Sequence, residues 1–130
     1  MPKAILRPES LSFQPRPTYP YSPGAMADGW IWTAGQVAWD RTARIVGPND
    51  AAAQTRQVLS NIAAILAEGG AGLKDVVAAT VYLADIRHFD AMDRVWVETF
   101  GPAAPPRTVV RARLAEPEML VEIEATARQP

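Results

Sequence analysis

Three arginines and two glutamates carry the clearest chemical pattern in the sequence. Arg107, Arg111 and Arg113 recur at even spacing through residues 107–114, and Glu122 and Glu124 do the same through residues 119–127. In an extended chain, side chains two apart share a face, which places Arg107, Val109, Arg111 and Arg113 opposite Thr108, Val110, Ala112 and Leu114. The second run sorts into Leu120, Glu122, Glu124 and Thr126 against Val121, Ile123, Ala125 and Ala127. If the two runs pair as neighbours, a mixed Arg/Glu surface forms. Its simplest role is cross-strand ion pairing worth about 0.2–1 kcal/mol per pair.

Other reactive groups are scarce. The chain has no cysteine and one histidine, His88, which excludes disulfides, thiolate metal sites and a cysteine nucleophile and leaves no basis for a His-rich metal site or a Ser-His-Asp relay. His88 falls near the start of a helical pattern, where a solvated polar role is the plain expectation. Gly69-Gly70-Ala71-Gly72 lacks the lysine of a phosphate loop and follows a helix, not a strand. Any chemistry must come from carboxylates, arginines, hydroxyls and backbone groups, with no metal expected.

The elements that must position these groups come from a chain of 130 residues, 48% hydrophobic and 21% charged. That length and balance suit one globular domain, residues 1–130, with a single core. Thirteen Lys and Arg against fourteen Asp and Glu give a net charge of -1. No cationic field draws nucleic acid or an anionic membrane, so neither is an expected partner. The start of the chain lacks the apolar run of a signal peptide and no stretch reaches a membrane span, which sets a cytoplasmic location as the expectation.

Strand and helix patterns alternate. A short strand is expected near 4–7, then an extended arm over 8–24 carrying Pro8, Pro15, Pro17, Pro20 and Pro23. Residues 29–37, rich in aromatic and β-branched side chains after Asp28-Gly29, read as a strand, and residues 37–47 as a hairpin-like excursion. Val58, Leu59, Ile62, Ile65 and Leu66 form one stripe of a helix over 50–68, with Asp50 as N-cap and Gly69-Gly70 as a left-handed stop. Residues 75–84 read as a strand. A second helix carries Phe89, Met92, Trp96 and Phe100 on one face and ends at Gly101-Pro102. The strands over 107–114 and 119–127, joined by the short segment 115–118, suit an antiparallel hairpin. Two helices cover one sheet face, and an uncovered face bearing Trp, Val and Leu predicts an oligomer.

Several landmarks occur together in one order: Tyr21-Ser22; Thr33-Ala34-Gly35-Gln36; Gln54 and Gln57 before Asn61-Ile62; Asp75-Val76-Val77 with Thr80-Val81-Tyr82-Leu83; Pro106-Arg107-Thr108; and Val121-Glu122-Ile123-Glu124-Ala125. This set resembles the RidA/YjgF/UK114 family from about Tyr21 to Ala127. The resemblance implies an α+β, chorismate-mutase-like fold, a mixed sheet with two helices on one face. It also implies a homotrimer whose uncovered sheet faces form an internal barrel.

The activity it implies is hydrolysis of reactive 2-enamine and 2-imine acids to 2-keto acids and ammonia, between subunits and without a cofactor. By the same resemblance Arg107 is the substrate-carboxylate clamp, Glu122 the water-positioning acid and Tyr21 a pocket-lining phenol, with Ala34, Gly35 and Asp93 at substrate-binding positions. The chain departs from the family pattern at two of these. Ala34 stands where deaminase members carry serine, and Asp93 where many carry asparagine. The alternative reading is a non-catalytic trimer that binds a small carboxylic acid as a metabolite sensor. RNA cleavage, attached to some family members, fits poorly with the charge of -1 and the absence of a histidine pair.

Overall fold

The computed structural model describes residues 2–13 and 20–130. Pro15 and Pro17 of the expected arm lie outside the described residues. Among the described residues six strands, β1 (Ala4–Leu6), β2 (Gly24–Ala27), β3 (Trp30–Thr33), β4 (Val76–Leu83), β5 (Arg107–Arg111) and β6 (Val121–Arg128), form one sheet in the order β1-β2-β3-β6-β4-β5. All neighbours are antiparallel except β4 and β5, which run parallel. Helices α1 (Ala51–Glu68) and α2 (Phe89–Phe100) lie on one face. Among the described residues no helix is long and apolar enough to cross a membrane.

The helices follow from their stripes and caps. Asp50 Oδ1 accepts the Ala53 N–H at 3.0 Å, and Val58, Leu59, Ile62, Ile65 and Leu66 are buried against the sheet. The left-handed residue after α1 is Gly70, at φ +75°, whereas Gly69 stays at φ -95°. In α2 Met92, Val95 and Trp96 are buried, with Phe89 and Phe100 packed at the margin of the same core. Ile31, Val81, Leu83, Val121, Ile123 and Ala127 supply the sheet's side of that core.

Two expectations are corrected here. The runs at 107–114 and 119–127 do not form a hairpin, because β4 lies between β5 and β6 and pairs with both. A mixed Arg/Glu ladder is therefore absent between them. Because two helices cover the apolar face of the sheet, the arginine face of β5 is expected on the uncovered side, and the structure reverses this. Arg107 pairs with Ala79 and Val109 with Val81, so both point toward the helices, while Thr108 and Val110 join Thr80 and Tyr82 on the uncovered face. An edge position allows this, since the Arg107 guanidinium lies over aromatic rings of α2 and pairs with Asp93. The strand at 29–37 is shorter than expected, and β2 occupies the end of the proline-rich segment.

Two buried amides tie the loops to α1. Asn61 Nδ2 donates to the Val37 carbonyl at 3.2 Å and the Trp39 carbonyl at 2.9 Å, and its Oδ1 accepts from Gln57 at 2.9 Å. Gln54 Nε2 donates to the carbonyls of Gly47 (3.2 Å) and Glu118 (2.9 Å), while its Oε1 accepts the Leu120 N–H at 2.9 Å. Asn61→Ala orphans two carbonyls in the interior and is expected to cost about 2–4 kcal/mol, measured as a lower denaturant midpoint at unchanged slope.

Candidate functional site

The segment after β3 is drawn onto β6 by a reciprocal pair of bonds, Gln36 N–H to Ile123 O at 2.8 Å and Ile123 N–H to Gln36 O at 3.0 Å. This sets Gly35 beside Glu122. The Ala34 N–H donates to Pro23 O at 2.8 Å, which brings the segment carrying Tyr21, just before β2, to the same place. The result is a cleft of about 500 Å³ whose walls include Tyr21, Ala34, Gly35, Trp39, Met119 and Glu122. Four of the residues singled out from the sequence thus meet in one cleft.

Glycine at position 35 leaves room for the Glu122 carboxylate. An added Cβ would collide with Glu122 Oε2 and stand 3.0 Å from its Cδ. Because the obstructed atoms are the end of a flexible side chain, Gly35→Ala is expected to displace the carboxylate more than the fold. The prediction is a Tm within a few degrees of wild type with the Glu122 carboxylate displaced from its place in the cleft, read by thermal melting and a crystal structure of the variant.

Glu122 is held above the ordinary glutamate range, first by burial and then by the nearby charge of Glu124. Glu124 lies two residues along the same face and accepts a hydrogen bond from the Tyr82 hydroxyl. That bond, chiefly, raises the Tyr82 pKa and keeps the phenol protonated as a donor. Tyr82 is the direct cross-strand partner of Glu122. Period-two spacing places Glu124 beside Glu122, but sequence reasoning missed Tyr82 as part of this environment, because its closeness depends on β6 pairing with β4.

Arg107 and Asp93 form a separate group. Arg107 Nη1 donates to Asp93 Oδ1 at 2.7 Å, and the guanidinium carbon lies 5.0 Å from the centre of the Trp96 ring and 5.6 Å from that of Phe89. Phe89, Asp93 and Trp96 recur at helical spacing on α2, so a signal for this aromatic cradle is present in the sequence. Arg107 is opposite Ala79 on β4 and Glu122 opposite Tyr82. They are offset by about 10 Å along the strands and about 10 Å across them, on opposite faces of the sheet. A single protomer does not bring Arg107 and Glu122 onto one small molecule. Among the described residues no group of three or more His, Asp or Glu side chains is arranged to hold a metal ion.

A mixed sheet backed on one face by two helices, with an acid-walled cleft at its rim, defines a chorismate-mutase-like α+β protein. The chain belongs to the RidA/YjgF/UK114 family, whose family description is Endoribonuclease L-PSP and whose match covers residues 12–129. It is 41% identical over 113 residues to a RutC family protein of Pyrococcus horikoshii, covering 87% of this chain and 90% of that one. It is 38% identical over 127 residues to the 3-aminoacrylate deaminase RutC of Acinetobacter baylyi, covering 98% of each. Among solved structures, the Rid-family protein YyfA from Yersinia pestis superposes with a TM-score of 0.86 at 27% identity, covering 98% of this chain and 99% of the other. E. coli TdcF with bound serine gives 0.85 at 25% identity, with the same coverage.

Proposed function

We propose that the chain is a homotrimeric deaminase that hydrolyses 2-enamine and 2-imine acids to 2-keto acids and ammonia. The observation that carries this reading is the division of the polar residues into two halves, a carboxylate cleft on one sheet face and an arginine cradle at the far edge. A neighbouring copy that brings its Arg107 to the Glu122 cleft completes an anion clamp beside a proton acceptor. The uncovered face gives a second copy a reason to dock, since Trp30, Trp32, Ile5 and Val110 are all exposed there. The 38% identity to a 3-aminoacrylate deaminase supports enamine deamination in the broad sense, with the nitrogen of that substrate on C3 and not on C2.

In this mechanism the enamine first tautomerises to the imine, whose carbon is already electrophilic. Arg107 holds the substrate carboxylate and fixes the plane of the imine. Glu122 orients a water and accepts its proton as the oxygen bonds to carbon. The nitrogen is protonated, the C–N bond breaks to release ammonia, and the carbon keeps the oxygen as a ketone. Positioning and one proton acceptor are sufficient. No cofactor enters the scheme, and the partners are a small imino or keto acid and two further copies of the chain.

The test is imine loss in the presence of the purified protein, with imino acids generated in situ by an amino-acid oxidase or a dehydratase. Acceleration by wild type, together with a trimer on sizing, supports the reading. A monodisperse monomer, or no acceleration across small, aliphatic and aromatic imino acids, overturns it. Ala34 contributes no hydroxyl to the cleft, which favours a second reading: binding of a small carboxylate without turnover. Keto-acid binding without imine hydrolysis would select that reading.

A further inference from the structure

The Arg107 guanidinium is only partly spoken for. Asp93 takes a single bond, from Nη1, and Nε and Nη2 donate to nothing among the described residues. The free Nε/Nη2 side is the edge on which an arginine receives a carboxylate through two parallel bonds. Asp93 likewise uses only Oδ1, and its Oδ2 accepts no hydrogen bond among the described residues. The side chains of Arg107 and Asp93 are 19% and 37% exposed, so the cation is sheltered between Phe89 and Trp96 while the acid stands at the rim. A positive edge and a negative oxygen thus lie side by side, fixed by a 2.7 Å bond.

From this arrangement the geometry points to Asp93 as a specificity-determining residue that makes the anchor select zwitterions, carboxylates bearing a cationic nitrogen on the adjacent carbon, over simple carboxylate anions. A ligand whose carboxylate sits on the Nε/Nη2 edge can carry its α-nitrogen toward Asp93. A protonated imine or amine is attracted there. The keto acid offers a carbonyl oxygen at the same place and meets a carboxylate of like polarity. A lone arginine would favour every carboxylate alike. The ion pair has no net charge, so a plain anion gains little from it while a zwitterion complements both halves. In the proposed reaction the substrate in its iminium form is such a zwitterion and the product is not, so the anchor favours what is consumed over what is released.

The inference rests on the reading of Arg107 as a carboxylate clamp, and the experiment separates the two. L-Alanine and L-lactate are near-isosteres that differ in ammonium against hydroxyl. Their affinities are measured by calorimetry for wild type, Asp93→Asn and Arg107→Ala. Asparagine keeps a carbonyl oxygen to accept the Arg107 bond, so the clamp stays aimed while the charge is removed. Wild type is expected to prefer alanine, and Asp93→Asn to shift the alanine/lactate affinity ratio toward lactate by about tenfold or more. A purely structural role would weaken both ligands together and leave the ratio unchanged, which would overturn the inference, as would a ratio shifted toward alanine. Arg107→Ala should abolish binding of both. If it leaves both intact, or if wild type binds neither, the clamp itself is wrong and the selectivity argument goes with it.

Discussion

Protomers carrying Arg107→Ala, mixed and reassembled with protomers carrying Glu122→Gln, are expected to regain about a quarter of the wild-type rate of imine hydrolysis, although neither variant alone should retain more than a trace. The fraction follows from counting. In the proposed closed ring of three, each site would draw Arg107 from one copy and Glu122 from its neighbour, and random mixing would make one interface in four intact on both sides. Arg107→Ala alone should lower kcat/KM by about 100-fold or more, because it removes the proposed pair of charge-assisted hydrogen bonds to the substrate carboxylate and leaves Asp93 without its partner. Arg107→Lys is expected to recover little, since an ammonium keeps the charge but has no side-on edge. If both roles belonged to one copy, mixing would leave the activity at the trace level. The separation of the two residues on opposite faces of the sheet makes recovery the expected result.

Replacing Glu122 by glutamine should cut kcat by about 10²–10⁴ while leaving keto-acid binding within a few-fold, since the change removes a proton acceptor and not the anion anchor. The pH dependence follows from the groups around the carboxylate: Glu124 and Tyr82 on the sheet face, with Tyr21 and Glu116 across the cleft. Burial and the Glu124 charge raise Glu122. In the proposed mechanism the basic form does the work, so the acid limb of kcat/KM should lie above the ordinary glutamate range, and Glu124→Gln should move that limb to lower pH. Stability moves the other way. An acid raised by folding has its stabilising contribution fully present below its unfolded pKa, about 4.3, and loses it as pH rises through the folded value. Glu122→Gln should therefore melt higher than wild type at neutral pH, with the difference vanishing in acid. An unchanged acid limb in Glu124→Gln would remove Glu124 from this account.

Much of this arrangement was legible in the sequence, and the exceptions have physical causes. The helices were, because an apolar stripe, Asp50 and the Gly69-Gly70 stop agree on α1, and Phe89, Met92, Trp96 and Phe100 agree on α2. The alternation in Val121–Arg128 gave the correct inner and outer faces of β6. Strand β2 was hidden since Gly24-Ala25-Met26-Ala27 lacks β-branched residues and is a strand only through its pairing with β1 and β3. The expected hairpin failed because nearness in sequence does not govern pairing once β4 is inserted between the two strands. The cleft partners of Glu122 and the cradle of Arg107 were recoverable one group at a time. Their separation depends on strand order, which no local pattern encodes.

The three hydrogen bonds of the Gln54 side chain bear on how ligand binding can be detected. They fasten the stretch that includes Glu118 and Leu120, next to the wall of the Glu122 cleft, directly to a buried helix. That wall cannot open by itself without stripping a fully buried amide of its partners, so the cleft and the core form one cooperative unit. A molecule that occupies the cleft therefore stabilises the whole chain through mass action, by about 2.7 kcal/mol when present at a hundred times its Kd. Screening small acids by the rise they cause in melting temperature would then reveal ligands of this site without any knowledge of the reaction.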